Sequence, residues 1–205
     1  MIKQMVKQIK TIVLLISVST LLAIGAACSK EPGNNGTANS EPLVKTDPAM
    51  PSSDKGDAVI TGGDLAFVID AAPGGLGEIE LGKLAAAKAQ NADVKAFGQK
   101  MVEDHSKVIE DLKALMIQKK VLLPSDVMPT HIELTDKLSK LSGADFDREY
   151  VKAMVANHEK DVTAFNSVAN GATDADVKAF ATKTLPTLKM HLEMIKGMAD
   201  KMNVK

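Results

Sequence analysis

The chain has 205 residues and a net charge of −1, from 25 basic and 26 acidic side chains. This balance gives no electrostatic case for binding nucleic acid, and with no Trp and one Tyr the chain has no aromatic platform for stacking bases. The single cysteine excludes a disulfide within the chain, so the fold must depend on its hydrophobic core.

Residues 1–27 have the pattern of an export signal. Three lysines precede an apolar stretch from Thr11 to Ile24, and small residues then lead to Cys28. The apolar stretch is short for a membrane span, and a signal of this kind is removed before folding. Cys28 fits a lipobox, although Gly25 stands where leucine is usual. We therefore expect Cys28 to be lipidated and to anchor the protein in a membrane.

Residues 28–60 are predicted to form a flexible tether. They are rich in Gly, Asn, Ser and Pro and show no periodicity of 2 or 3.6 residues. Ser29, directly after the cysteine, is compatible with sorting to the outer membrane. We expect the domain of residues 61–205 to lie in the cell envelope, facing the periplasm or the cell surface.

From Asp64 onward, apolar residues recur at helical spacing. Pro73-Gly74-Gly75 predicts a kink or break in the first helix, and Pro186 predicts a kink in the last. Gly171 and the Thr173-Asp174 pair are expected to end one helix and cap the next. Five helices are predicted, at roughly 64–90, 92–120, 129–141, 144–169 and 175–202.

A short internal repeat organises these helices. Residues Ala92–Phe97 recur as Ala175–Phe180, each at the start of the second helix of a hairpin. Two hairpins joined by a long crossover predict an all-α fold, a ferritin-like up-down four-helix bundle with a short helix in the crossover. We expect both hairpin turns to lie at the same end of this bundle.

Three of the four histidines lie on apolar seams, one on each of three long helices: His105, His158 and His191. His105 lies about 13 residues, or roughly 20 Å, from the first hairpin turn, and the other two bracket the second turn at similar distances. A buried imidazole needs a hydrogen-bond partner. The pattern therefore predicts one shared polar site at the middle of the bundle.

The first helix can bring a carboxylate to the same level, from Glu78 or Glu80. The two side chains point about 200° apart on a helix, so at most one faces the core. Glu80 shares its face with larger apolar residues such as Leu84. Glu78 shares its face with small residues such as Gly82, which would allow a close helix approach.

Three imidazoles and one carboxylate would hold a single transition metal ion, such as zinc, iron or copper. A di-iron site is not predicted, because such bundles use Glu-x-x-His on two helices. In this chain the residues three before the histidines are Val102, Val155 and Leu188. Asp104 and Glu159 adjoin histidines, but neighbours on a helix point away from each other.

Methionines support a second hypothesis, a soft copper site of sulfur and imidazole. The methionines nearest the three histidines in sequence are Met101, Met154, Met190 and Met194. The alternative is that methionine simply fills gaps in a core poor in aromatic residues.

The histidines also have a purely structural interpretation, in an envelope protein where they bond to one another, to a glutamate or to trapped water. An enzyme is the least supported hypothesis, because the sequence shows no substrate-binding residues. His131, in the crossover, is predicted to be exposed or to cap a helix and is left out of the site. Tyr150 is expected to pack in the core.

Several motifs between residues 60 and 203 form a set. They are Gly74–Ala85, Val94-Lys95-Ala96-Phe97, Met101-Val102-Glu103-Asp104-His105, Leu123-Pro124, Phe146-Asp147-Arg148-Glu149-Tyr150, His158, and Leu185-Pro186-Thr187-Leu188 with His191. This set resembles a bacterial secreted family catalogued as a domain of unknown function and often labelled "predicted outer membrane protein". The resemblance implies a ferritin-like bundle outside the cytoplasm and favours Glu78 over Glu80. It implies no activity.

Overall fold

The structure, a computed structural model, describes residues 59–204. The predicted signal of residues 1–27, Cys28 and nearly all of the predicted tether lie outside the described residues. Within that range the chain is all-helical, without a β-strand, which confirms the predicted fold class. No helix in it is long and apolar enough to cross a membrane. The helices are α1 (Gly62–Lys88), α2 (Ala92–Gln118), α3 (Pro129–Ser139), α4 (Gly143–Gly171) and α5 (Ala175–Met202).

The two copies of the repeat begin equivalent helices. The side chain of Asn91 accepts hydrogen bonds from the backbone N–H groups of residues 93 and 94 at the start of α2. Asp174 does the same for residues 176 and 177 at the start of α5. Each cap satisfies N–H groups that have no partner within the helix. The helices α1 and α2 form one antiparallel hairpin, and α4 and α5 form the other.

The hairpin turns lie at opposite ends of the bundle, so the expectation of a shared end is wrong. Asp147, near the start of α4, accepts hydrogen bonds from the backbone of residues 90 and 91 at 3.1 and 2.8 Å. Asp64, at the start of α1, accepts from the backbone of residues 173 and 174 at 2.9 and 2.7 Å. The crossover that carries α3 therefore runs the length of the bundle.

Pro73 does not break α1, which is continuous from Gly62 to Lys88, and α5 likewise continues through Pro186. A proline inside a helix removes one backbone hydrogen bond. In α1 the loss occurs where Ala72 and Pro73 are buried. Packing of this face outweighs the local cost, as tertiary contacts commonly outweigh helix propensity.

The helices α1 and α2 approach closely at a pair of glycines. A Cβ atom placed on Gly82 would lie 2.8 Å from the carbonyl oxygen of Gly98, and one placed on Gly98 would lie 2.7 Å from that of Gly82. The small-residue face of α1, which contains Glu78, is thus the face that packs on α2. This contact brings Glu78, one turn before Gly82, towards the histidines.

Two apolar clusters fill the bundle, one near each end. The first contains Leu81, Phe97 and Met154, and the second contains Leu112 and Phe165. On each of the four long helices, one buried polar residue lies between its contributions to the two clusters. These four residues are Glu78, His105, His158 and His191.

Candidate metal centre

The structure brings the three predicted histidines together. Only 3% of His105 is exposed, and His158 and His191 are fully buried. Their ring centroids are separated by 5.4, 5.5 and 5.9 Å. Although the turns lie at opposite ends, each histidine is near the middle of its helix. A residue at the middle of a helix has the same height along the bundle axis whichever way the helix runs. The three histidines therefore lie at one height, as predicted.

His158 is held by its own helix. Its Nδ1 donates a hydrogen bond to the backbone carbonyl of Met154, one turn earlier, at 2.9 Å. A carbonyl oxygen can only accept, so Nδ1 carries the proton. The other ring nitrogen, Nε2, is buried and has no hydrogen-bond partner.

His105 is held by the carboxyl group of Glu78. Its Nδ1 lies 3.0 Å from Oε2 of Glu78, and Nε2 of His105 is buried without a partner. The second oxygen of Glu78, Oε1, lies 3.7 Å from Nδ1 of His158 and has no hydrogen-bond partner in the described part of the chain. Glu78 itself is only 4% exposed.

His191 is held by Asp104, a residue that the sequence analysis set aside. Nε2 of His191 donates to Oδ2 of Asp104 at 2.8 Å, and Nδ1 is left buried without a partner. Asp104 points away from His105, as expected for neighbours on a helix. It reaches His191 on α5 instead, and it also pairs with Lys100, one turn earlier on α2, at 3.0 Å.

The three histidines therefore present one free nitrogen each: Nε2 of His105, Nε2 of His158 and Nδ1 of His191. One nitrogen from each ring can be chosen so that all three lie within 4.8 Å of one another. Tetrahedral zinc, with Zn–N bonds of about 2.0–2.1 Å, needs nitrogens roughly 3.4 Å apart. The rings would therefore have to move closer together to bind one ion through these nitrogens.

The two candidates for the carboxylate ligand lie in different places. Glu80 is on the surface, where its carboxylate accepts a hydrogen bond from Lys83 at 2.7 Å. Glu78 contacts the nitrogen of His105 opposite to the free one. The carboxylate expected as a ligand thus orients the imidazole from behind, an arrangement common around metal-binding histidines.

Burial keeps the imidazoles neutral. It lowers the pKa of His105 to about 3 and of His158 to about 4, and repulsion between the rings adds to the effect. Burial also lowers the pKa of His191, although the hydrogen bond to Asp104 opposes this shift. A neutral imidazole retains the lone pair that binds a metal ion.

The carboxyl group of Glu78 has an acidic neighbour, Asp161, that the sequence analysis missed. Burial, and then repulsion from Asp161, raise the pKa of Glu78 well above its usual value. Burial likewise raises the pKa of Asp161 to about 6. Asp161 lies three residues after His158, on the helix face next to the apolar seam. This position is the sequence feature that could have indicated a place near the site.

A cavity of about 540 Å³ lies beside the cluster, and His105, Glu78 and Asp161 form part of its wall. His131, on α3, also lines this cavity and is half-buried with a buried, unpartnered Nδ1. The prediction that His131 is exposed is wrong, because its ring packs on Gly77, where a Cβ atom would lie 2.4 Å from Cγ of the imidazole.

The methionines differ in position. Met101 and Met154 are fully buried, whereas Met190 is 37% exposed. Met194 is partly buried against the first apolar cluster. Met190 is thus on the surface, and Met101 and Met154 remain as the buried candidates for a soft copper site.

Residues 49–198 match the family described as Domain of unknown function (DUF4142). No curated protein matches the sequence. Among solved structures, a DUF305 fragment from Deinococcus radiodurans is similar with a TM-score of 0.61 at 13% identity, over 69% of this chain and 97% of that one. CopM in its Cu(I)-bound form is similar with a TM-score of 0.58 at 18% identity, over 69% and 98%. CopM in its Cu(II)-bound form gives 0.58 at 17% identity, over 67% and 96%. At these identities the likeness shows the fold alone.

Proposed function

The chain belongs to the family described as Domain of unknown function (DUF4142), and we propose that it binds one transition metal ion through His105, His158 and His191. The observation that carries the proposal is the state of the six ring nitrogens. In each ring one nitrogen is held by an oxygen atom, and the other is buried and free. A buried polar atom without a partner is costly, and a bound ion would satisfy all three at once.

Copper is the first ion to test. Three neutral imidazoles suit copper, zinc or iron. The buried sulfur-containing side chains of Met101 and Met154 each lie four residues before a histidine of the site and favour Cu(I) among these ions. CopM, which shares the fold, has been solved in Cu(I)- and Cu(II)-bound forms, and this supports copper for the present chain.

The proposal places this site in the cell envelope. The signal pattern of residues 1–27 directs export, lipid on Cys28 anchors the protein, and residues 28–60 tether the bundle to a membrane of the envelope, with the outer membrane favoured by Ser29. A tethered domain with a single metal site would act by holding or delivering an ion outside the cytoplasm.

The competing hypothesis is a structural polar core without metal. It is favoured by the ring of His105, which stacks on that of His191 with a centroid separation of 5.4 Å and an interplanar angle of 27°. This hypothesis leaves three buried ring nitrogens without partners, unless water fills the space between them.

Elemental analysis separates the two hypotheses. The protein is purified without an affinity tag or chelator, beside a triple variant in which His105, His158 and His191 are alanine and a control variant His131→Ala. We expect about one equivalent of a single transition metal in the wild type and the control, as three imidazoles hold one ion, and none in the triple variant. A wild type that stays metal-free after incubation with copper, zinc and iron would contradict the proposal.

A further inference from the structure

We infer that the cavity beside the histidines is the passage by which a metal cation enters, and that Asp161 and Glu78 bind the cation in turn on its way to the rings. This inference rests on the proposed metal site and adds its route of loading.

The histidines themselves are closed to solvent. Two of them are fully buried and the third is 3% exposed. Among the three, only His105 lines the cavity, together with Glu78. An ion that reaches the free nitrogens from this cavity must therefore pass His105 and the Glu78 carboxyl group.

The cavity wall suits a cation. Three carboxyl groups line it, from Asp70, Glu78 and Asp161, against the single ammonium group of Lys160. Carboxylate oxygens bind hydrated divalent cations, whereas imidazole is the preferred ligand of zinc, copper and iron. Carboxylates that line a cleft also raise the local concentration of cations.

Glu78 is the step between the cavity and the rings. Only 4% of Glu78 is exposed. Its Oε1 has no hydrogen-bond partner among the described residues and lies 3.7 Å from Nδ1 of His158. Its Oε2 holds His105 at 3.0 Å. One oxygen therefore keeps a ligand ring in position, while the other can bind a cation passed on from Asp161 in exchange for the proton that the raised pKa of Glu78 favours.

The helix α1 forms one wall of the passage. Gly74 and Gly75 line the cavity, and a Cβ atom on Gly74 would meet nothing within 4 Å. A large side chain at Gly74 would therefore project into open space and obstruct the cavity without a clash in the bundle.

Two variants test the passage by different means. Asp161→Asn removes the charge, and its control is Glu159→Gln, an exposed carboxylate on the same helix that pairs with Lys196. Gly74→Leu obstructs the cavity, and its control is Gly197→Leu, where a Cβ atom also meets nothing within 4 Å. Each metal-free full-length protein, in mild detergent, is mixed rapidly with Co²⁺, and uptake is followed by visible absorption.

We expect both test variants to take up Co²⁺ at least about tenfold more slowly than the wild type, the size of effect that electrostatic steering gives. Both should still reach the wild-type stoichiometry, and both controls should load at the wild-type rate. If either test variant loads as fast as the wild type, the passage is overturned while the metal site stands. A wild type that takes up no Co²⁺ and also stays free of copper, zinc and iron in the elemental analysis would overturn both.

Discussion

Each histidine of the cluster is oriented by an oxygen atom of a different residue. His158 uses a backbone carbonyl of its own helix, His105 uses Glu78 on α1, and His191 uses Asp104 on α2. The partner on one nitrogen decides the tautomer, and the tautomer decides which nitrogen is free for a metal. Asp104 remains ionised in this role: burial works against it, but hydrogen bonds from His191 and Lys100 lower its pKa.

Replacement of Asp104 by asparagine is expected to weaken metal binding by about 10- to 100-fold, the usual cost of losing a partner behind a ligand histidine. The amide keeps the size of the side chain but removes the negative charge that favours a cation-bound His191. The measurement is the dissociation constant by competition with a chelating dye.

The control for this prediction is Glu103→Gln, one residue earlier, whose carboxylate is on the surface and pairs with Lys107 at 2.7 Å. It should bind metal like the wild type. Equal affinities for Asp104→Asn and the wild type would show that Asp104 does not act through His191.

At the scale of the elements, the decisive contact is the close approach of α1 and α2. Gly82 and Gly98 face each other, with the backbone of each helix against the other. A larger residue at either position would separate the helices and move Glu78 away from His105. The sequence showed that the small residues around Gly82 would allow a close approach, but not which helix packs there, because glycine contributes no hydrophobic signal to a helical seam.

Gly98→Ala should destabilise the bundle by about 1–3 kcal/mol, the usual cost of overpacking a core. The new Cβ atom would lie 2.7 Å from the Gly82 carbonyl oxygen and 2.8 Å from Cβ of Ala85. This cost exceeds the gain of roughly 1 kcal/mol in helix propensity. The measurement is urea unfolding followed by circular dichroism.

Gly197→Ala provides the matched comparison, because a Cβ atom there meets no neighbour within 4 Å. This variant should gain up to about 1 kcal/mol from helix propensity alone. If Gly98→Ala were as stable as Gly197→Ala, the close approach of the two helices would not constrain the fold.

At the scale of the molecule, a polar layer lies between two apolar clusters. Its members titrate differently in the folded and unfolded chain. His158, with a pKa of about 4 when folded, binds protons more weakly than in the unfolded chain, where histidine has a pKa near 6.5. Asp161, with its pKa raised to about 6, shifts in the opposite sense.

The sign of the histidine contribution follows from this difference. The contribution of His158 to stability is fully present above pH 6.5 and is lost as the pH falls towards 4, since the unfolded state then takes up the proton. Protonation of Asp161 stabilises the folded protein over part of the same pH range. The effect of His158 must therefore be isolated by comparison with His158→Leu in the metal-free protein.

We expect the free energy of unfolding of the wild type, relative to His158→Leu, to fall by on the order of 3 kcal/mol between pH 7 and pH 4. Urea unfolding at several pH values, with chelator present, measures this difference. A difference that stays constant with pH would show that His158 titrates normally in the folded bundle.

The sequence by itself determined the five helices, the Asp174 cap of the last helix and the apolar seams that carry His105, His158 and His191. These features depend on local periodicity and on side chains that bond to nearby backbone, which a single chain segment contains. It also predicted that the histidines share a level, although it placed both turns at one end.

Only the tertiary structure decided the directions of the helices, the burial of Glu78 over Glu80, and the roles of Asp104 and Asp161. The reason is that these features depend on which helix faces a given side chain and how closely two backbones approach. A polar residue at the edge of a seam has the same local pattern whether it faces solvent or a neighbouring helix, so its partner is defined only when the helices pack.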